Sequence, residues 1–213
     1  GLAEDLLEGR VLINLDSEEE GVLTIGCAGG ADTYLTLPVA RSAVDSDQAA
    51  LAIRVEGMKG GHSGVDIHLQ RGNAVRLLSR VLYSASLESK FNLASIDGGN
   101  AHNAIPREAN AVIVCDSSDS EGIAGLLEAE LAAVGSELAT IDPGFSWTVG
   151  DIQAPAEAID DPGTTRALEL LTALPHGVLG MSPDIEGLVE TSTNLAVVAV
   201  ETDSVNILMS TRS

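Results

Sequence analysis

The order of hydrophobic patterns between residues 51 and 149 constrains the fold more than any other feature of this sequence. Apolar side chains at Leu51, Ile53 and Val55 alternate with small or charged ones, which predicts a strand with one buried face. The patterns that follow predict a helix over 73–86, strands over 91–96 and 109–115, a helix over 123–134 and a strand over 145–149. The order strand, helix, strand, strand, helix, strand is that of a ferredoxin-like fold. We therefore expect an α+β, two-layer sandwich in which helices cover one face of an antiparallel sheet.

The segments on either side of this unit carry patterns of their own. Continuous apolar residues at 11–15 (VLINL) are typical of a strand buried on both faces, as in a parallel sheet. The polar stretch at 41–48 predicts a linker or crossing loop. Further predicted elements are short strands over 22–25 and 33–37, a helix over 162–174, and a hairpin of 194–200 with 205–210. The C-terminal elements indicate a second α/β part.

The charge of the chain excludes two classes of partner. Its 213 residues include 11 Lys and Arg against 32 Asp and Glu, for a formal net charge of −21. Such a surface repels phosphate backbones and anionic lipid headgroups, so we expect neither nucleic acid nor membrane partners. No apolar run approaches the roughly 18 residues that span a bilayer, and no targeting signal is visible, so we expect a cytoplasmic protein. The acidic bias resembles that of proteins adapted to concentrated salt, and an ordinary acidic protein is the alternative.

A glycine-rich stretch at 57–64, GMKGGHSG, gives one histidine a distinctive setting. Glycines on both sides of His62 let the backbone approach a ligand closely, and an imidazole on such a loop can donate a hydrogen bond to a developing oxyanion. An ordinary surface histidine is the alternative interpretation. His62, Asp66 and His68 fall within seven residues, but their spacing matches neither HExxH nor a helical pair, so they do not predict a complete metal site.

Two other segments contain candidate site residues. Asp16 follows VLINL directly, and open α/β sheets bind ligands beyond the carboxyl ends of their strands, so Asp16 is a candidate metal ligand; a solvated acidic turn is the alternative. The loop at 98–109, GGNAHNAIPREA, carries Asn103 and Arg107. An arginine fork suits a free carboxylate, and a neighbouring Asn amide suits a carboxylate or an amide group, although a plain β-connection is the alternative. The sequence has no GxSxG, P-loop or GxGxxG motif, so it does not support acyl-serine or nucleotide chemistry.

Four segments, read together, point to one family of enzymes. In chain order they are LINLDSEEEG with IGCAGG, GMKGGHSGVDIH, GGNAHNAIPREA and GLVETSTNLAVV. They resemble the bacterial aminoacyl-histidine dipeptidases, which belong with the carnosinases and other zinc-dependent peptidases of the aminoacylase type. The resemblance implies a catalytic α/β domain that holds two zinc ions, and an inserted lid domain that in many members also forms the dimer. It also implies a zinc-bound water, activated by a glutamate base, that attacks the peptide carbonyl.

The resemblance implies a role for each candidate residue. Asp16 matches a carboxylate zinc ligand, and His62 matches a lid histidine that polarises the scissile carbonyl, often in the neighbouring subunit. Asn103 and Arg107 match the lid loop near the substrate, whereas His102 stands where we expect Arg. The implied parts are the end of the catalytic domain (1–40), the ferredoxin-like lid (41–150) and a second lid subdomain with the C-terminal hairpin (151–213).

The resemblance also implies what the chain lacks. The HxD pair, the general base and the remaining zinc ligands have no counterparts, and the chain begins with Gly1 rather than Met. We therefore expect the lid and dimerisation portion of a zinc-dependent dipeptidase that hydrolyses Xaa-His dipeptides, inactive alone, with a dipeptide substrate and a second copy as its partners. The alternatives are another zinc amidohydrolase, such as a tripeptidase or an N-acyl amino acid deacylase, and a non-catalytic dimerisation or interaction module.

Overall fold

The computed structural model describes residues 9–11, 13, 21, 22 and 26–213. The predicted strands over 11–15 and 22–25 lie mostly outside these residues. The strands of the described part are β1 (Gly30–Pro38), β2 (Arg41–Ala43), β3 (Gln48–Glu56), β4 (Gly61–His62), β5 (Asn92–Gly98), β6 (Ala104–Ile105), β7 (Ala109–Asp116), β8 (Ser146–Ile152), β9 (Glu157–Ile159), β10 (Gly177–Met181), β11 (Val189–Val200) and β12 (Ser204–Arg212). Its helices are α1 (Ala74–Glu88), α2 (Ser120–Leu138), α3 (Asp161–Ala173) and a 3₁₀ turn, Ile67–Leu69.

Four strands and two helices form the unit that the hydrophobic patterns predict. Apart from the two-residue strands β4 and β6, the chain runs β3, α1, β5, β7, α2, β8, and the four strands lie side by side in the order β5-β7-β3-β8. Each neighbouring pair is antiparallel. The predicted α+β fold with a ferredoxin-like unit is confirmed.

The main sheet continues beyond this unit. β11 pairs with β5 through Val198 and Gly98, β12 pairs with β11 as the predicted hairpin, and β1 pairs with β12 along its whole length. The resulting order is β1-β12-β11-β5-β7-β3-β8, with β10 added beside β11. The hairpin therefore extends the ferredoxin-like sheet. The domain boundaries after residues 40 and 150 stay predictions, and the sheet is continuous across both.

The helices pack on one face of the sheet and share one core with it. Leu51, Ile53 and Val55 of β3 point into this core, as their alternation predicts. Its fully buried helical residues are almost all aliphatic: Leu78 and Leu82 of α1, Ile123, Leu127 and Leu131 of α2, and Leu168 and Leu171 of α3. Truncating one such Leu to Ala costs about 2–5 kcal/mol in a well-packed interior. The sheet is thus a rigid support for the side chains and loops on its other face.

The opposite face of the sheet carries polar side chains beside a small apolar cluster of Ala50, Ala94, Val114 and Ala158. Arg54, Asn110 and Asp97 form a hydrogen-bonded row across β3, β7 and β5 on this face. Part of the face is covered by β2 and β9, which pair through Arg41 and Ile159, so the predicted linker at 41–48 contains a short strand. Within the part of the chain that the structure describes, no helix is long and apolar enough to cross a membrane.

Candidate functional site

Glycines shape the loop that carries His62. Gly57, Gly60 and Gly61 all have positive φ, at 81°, 62° and 146°, a region that L side chains rarely adopt. A Cβ on Gly61 would lie 2.6 Å from Asp66 Oδ2 and 2.5 Å from Arg71 Nη1. Gly61 is therefore required both for its backbone conformation and for the close approach of two side chains.

Asp66 and Arg71 hold this loop in place. The backbone N–H of His62 donates to Asp66 Oδ2 at 2.9 Å, and Asp66 Oδ1 lies 3.3 Å from Arg71 Nη2. Arg71 Nη1 in turn donates to the Gly60 carbonyl at 2.6 Å. Asp66 thus acts as a structural acceptor, and the compact His62, Asp66 and His68 segment holds its loop together rather than a metal ion.

A buried carboxylate fastens the start of the same loop. Asp142 is only 1% exposed, and it accepts hydrogen bonds from the backbone N–H groups of Lys59 at 2.8 Å and Gly72 at 2.7 Å. Charge-assisted bonds of this kind are stronger than neutral ones. The loop is therefore anchored to the core on both sides of His62.

The imidazole of His62 is exposed, and its backbone setting selects one tautomer. The backbone N–H of Gly64 donates to His62 Nδ1 at 3.2 Å. A backbone amide can only donate, so Nδ1 holds its lone pair and the proton of the neutral ring lies on Nε2. His62 therefore presents an N–H donor from a rigid loop, and this is the geometry that polarisation of a carbonyl requires.

The structure brings His62 and Asn103 together. β4 pairs with β6, which sets His62 opposite Ala104, and the Ser63 backbone N–H donates to the Asn103 carbonyl at 2.8 Å. The Asn103 side chain is half-buried beside this pairing. Two of the predicted site residues are therefore neighbours although 41 positions separate them in the sequence.

Arg107 lies close to the loop but borders a different space. Its aliphatic stem covers Gly60, since a Cβ on that glycine would lie 2.3 Å from Arg107 Cγ. Its guanidinium is exposed and borders a cavity of about 500 Å³ with Lys59 and Asn100. Neither His62 nor Asn103 lines this cavity, so the described residues do not place Arg107 in one pocket with them. Asp16 lies outside the described residues.

Sequence analysis missed the polar residues on the outer strands next to His62. Asp32, Ser210 and Asn194 lie side by side on β1, β12 and β11, and Arg212 is two residues beyond Ser210 on the same face. The Arg212 guanidinium and the His62 ring flank Gly64, whose added Cβ would meet Arg212 Cζ at 3.0 Å and His62 Cε1 at 3.1 Å. The alternation of Ser210 and Arg212 in β12 is the one sequence signal that indicated a shared face.

Buried polar atoms gather at the same place. Ser63 Oγ, Asn194 Oδ1 and Arg212 Nε are buried, and each lacks a hydrogen-bond partner within the described part of the chain. Asn194 is fully buried, and its Nδ2 donates to the carbonyls of His102 at 3.2 Å and Ala104 at 2.8 Å. A buried polar atom left unpaired costs free energy, so these atoms mark a polar cluster behind the loop that carries His62.

His176 is a structural histidine. Burial, together with the smaller effect of the nearby Arg76 charge, lowers its pKa to about 4. Asn73 Nδ2 lies 3.2 Å from His176 Nδ1, and the Leu195 backbone N–H lies 3.4 Å from the same nitrogen. The ring is therefore neutral and accepts hydrogen bonds at the junction of α1 and β11.

The described residues do not fit a metal centre. Residues 9–11, 13, 21, 22 and 26–213 contain no group of three or more His, Cys, Asp or Glu side chains that could hold a metal ion. Two thiols are present, an exposed Cys27 and a buried Cys115, and both are free. The arrangement can orient and polarise a polar ligand, and it cannot by itself generate a metal-bound nucleophile.

Comparisons with known proteins give one family match and one similar bacterial enzyme. Residues 53–153 match the peptidase dimerisation domain family. Over 207 residues the chain is 35% identical to the cytosol non-specific dipeptidase of Escherichia coli K12, covering 97% of this chain and 43% of that protein.

A solved structure gives the same result. The aminoacylhistidine dipeptidase of Vibrio alginolyticus is 35% identical and superposes with a TM-score of 0.90, covering 100% of this chain and 44% of that one. This chain spans less than half the length of either relative. Residues 53–153 therefore match the peptidase dimerisation domain family, in a chain that is similar to bacterial dipeptidases along nearly its whole length.

Proposed function

We propose that this chain is the lid and dimerisation part of a cytoplasmic dipeptidase that cleaves dipeptides with a C-terminal histidine. The observation that carries the proposal is the exposed His62 ring, held by glycines and Asp66 with its N–H donor on Nε2. The names of the two relatives, a non-specific dipeptidase and an aminoacylhistidine dipeptidase, support the dipeptide substrate class. The metal centre, which we propose to be zinc with Asp16 as one ligand, is completed by other parts of the longer protein.

His62 polarises the scissile carbonyl in this proposal. A donor on a preorganised loop stabilises the negative charge that develops on the carbonyl oxygen, and it needs no reorganisation when the reaction occurs. The Gly64 N–H fixes the tautomer, so the donor is in place before substrate binds. Arg212 lies close to this ring across Gly64, and Asn103 lies on the neighbouring loop; in this proposal both supply polar contacts for the rest of the dipeptide.

Arg212 is suited to the free carboxylate of the substrate. Its guanidinium lies beside Gly64, and its Nε is buried without a protein partner in the described part of the chain. An arginine fork binds a carboxylate bidentately. Arg107, which borders a separate cavity with Lys59, is a second candidate for an anionic group of the substrate.

The assay that tests the function uses the longer protein with zinc. We expect hydrolysis of Xaa-His dipeptides, with other dipeptides as a measure of selectivity and N-acyl amino acids as the test of the deacylase alternative. The isolated chain of 213 residues should hydrolyse none of them. Cleavage of N-acyl substrates alone, or any zinc-dependent cleavage by the isolated chain, would contradict the proposal.

A pair of histidine variants tests the role of His62 within that protein. His62→Ala should lower kcat by about 10²–10³-fold, the usual loss for one donor to a developing oxyanion. His68→Ala is the matched control, because His68 is also exposed and lies six residues away on the 3₁₀ turn. Equal activities of the two variants would show that His62 is an ordinary surface histidine.

We further propose that the parent is a homodimer formed through this domain, as the family description indicates. β8 is an edge strand of the main sheet, and its Ile152 is 42% exposed. Unpaired edges of this kind favour association with another chain. Sedimentation of the isolated 213-residue chain should give twice its mass of 21.9 kDa, and a monomer at all concentrations would contradict this part of the proposal.

A further inference from the structure

One side-chain contact connects the loop that carries Asn103 to β1, the outermost strand of the sheet. His102 Nδ1 lies 2.9 Å from Asp32 Oδ2, which joins loop 99–103 to β1. Both side chains are partly exposed, at 54% for His102 and 30% for Asp32. Surface pairs contribute little to global stability, so stability alone does not account for this contact.

The environment of Asp32 keeps it negatively charged. A hydrogen bond from Ser210 lowers the pKa of Asp32, against the opposing effect of partial burial, and the contacts with His102 and Arg212 lower it further. Asp32 therefore contacts His102 on the loop and lies near Arg212 on β12.

The other contacts of the loop hold its backbone. Gly99 packs against the Ala196 carbonyl, with φ at 76°, and the buried Asn194 binds the carbonyls of His102 and Ala104. The Asn103 carbonyl accepts from Ser63. His102 contributes the side-chain contact that ties the exposed turn of this loop to β1.

We propose that His102 and Asp32 are positioning residues: their contact holds loop 99–103 against β1, which keeps the Asn103 carbonyl paired with the Ser63 N–H next to His62. The expected effect on dipeptide cleavage rests on the proposed function. The expected effect on the position of loop 99–103 rests only on the contacts within this chain. A shift of about 1 Å in a positioned group is enough to change turnover of a substrate substantially.

Amide hydrogen exchange on the 213-residue chain tests the structural content. His102→Ala and Asp32→Asn should both speed exchange of the hydrogen-bonded Ser63 and Ala104 amides by about tenfold, because the loop opens more often without the contact between the two side chains. His102→Arg should restore slow exchange, since a guanidinium can also donate to Asp32. Arg80→Ala is the matched control, because it breaks an exposed pair with Glu137 at 2.8 Å on another surface, and it should leave these amides unchanged.

Kinetics of the longer protein test the catalytic meaning. His102→Ala should raise KM about tenfold with a smaller change in kcat, and His102→Arg should recover most of the loss. Unchanged exchange in both His102→Ala and Asp32→Asn would overturn the inference, and so would unchanged kinetics in an active enzyme. Faster exchange in a protein that cleaves no dipeptide would support the positioning of the loop and would instead reject the proposed function.

Discussion

The exposed position and the tautomer of the His62 ring follow from residues close to it in the chain rather than from burial. Glycines with positive φ bring the ring to the surface, Asp66 fixes its backbone N–H, and the Gly64 amide fixes its tautomer. Each of these contacts lies within four residues of His62, so a short segment encodes the donor almost completely. This locality explains why the sequence alone was enough to select His62 as a candidate.

A glycine substitution tests how tightly that segment is built. Gly61→Ala should destabilise the chain by about 2 kcal/mol or more, because φ is 146° and the new Cβ would meet Asp66 and Arg71. Gly125→Ala is the matched control: Gly125 lies in α2 with open space around it, so the change should stabilise by about 0.5–1 kcal/mol. Urea unfolding of both variants measures the difference, and equal stabilities would show that Gly61 is not required.

His176 should make stability depend on pH. Its pKa is about 4 in the folded chain and about 6.5 when unfolded, so the unfolded state binds more protons between these values. The contribution of neutral His176 to the free energy of unfolding is therefore present in full above pH 6.5, and it is lost as the pH falls toward 4. We expect about 2 kcal/mol of this loss at pH 5.

The comparison with His176→Gln isolates this effect. Gln keeps a side-chain acceptor for Asn73 and Leu195 and does not titrate. Unfolding free energies measured from pH 8 to 5 should fall more steeply for the wild type than for the variant. Parallel curves would mean that His176 is protonated without penalty in the folded chain.

At the scale of elements, sequence patterns identify the long helices and strands and miss the short ones. Apolar spacing predicted a helix over 123–134, and α2 extends it in both directions, to Ser120–Leu138. β4, β6, β2 and β9 have only two or three residues, too few to show a period of two. Yet β4 and β6 are the strands that bring His62 to Asn103.

The missed site residues have the same physical origin. Asp32, Ser210 and Asn194 meet because β1, β12 and β11 pair, and such pairing joins positions far apart in the chain. Alternation within one strand shows which residues share its face, but it does not show which strand lies alongside. The glycines around His62 are its neighbours in the sequence, so this setting could be predicted. Arg212 is far from His62 in the sequence, so their proximity in space could not be predicted.

The start of α1 offers a test at this scale. The Asn73 side chain caps the helix by accepting from Arg76 N–H at 3.1 Å, and it also donates to the Leu195 carbonyl at 2.8 Å. Asn73→Ala removes a helix cap, which costs about 1 kcal/mol of stability. It also leaves the buried Leu195 carbonyl without its donor, which costs about 1–3 kcal/mol. We expect a total loss of about 3 kcal/mol.

A serine variant separates the two contributions. Asn73→Ser keeps an acceptor for the cap and loses the donor to Leu195, so it should recover about 1 kcal/mol relative to Asn73→Ala. Thermal or urea unfolding of the three proteins gives the values. A loss below 1 kcal/mol in Asn73→Ala would mean that α1 and β11 are not joined through this side chain.

At the scale of the whole molecule, the main sheet supports the site from below. The helices cover one face of this sheet with an aliphatic core, and the separate pair β4 and β6, which holds His62, is joined to β11 through Asn194. This division makes the domain a rigid support for a ligand-facing surface. Such a surface is consistent with the lid role proposed above.

The net charge of −21 should make the stability of the whole molecule depend on salt. Like charges on the folded surface repel each other, and salt shortens the range of this repulsion, to a Debye length of about 3 Å at 1 M. The thermal midpoint should therefore rise between low and molar KCl. An unchanged midpoint would contradict both the repulsion argument and the resemblance to proteins adapted to concentrated salt.

The state of the His62 ring is the property on which the whole account depends. Nitrogen NMR of the 213-residue chain, recorded at a pH where the ring is neutral, reports which ring nitrogen carries the proton. We predict a single tautomer with the proton on Nε2 and an unprotonated Nδ1 that accepts from Gly64. A ring protonated on Nδ1, or one that exchanges freely between both forms, would contradict a donor held ready for a substrate carbonyl.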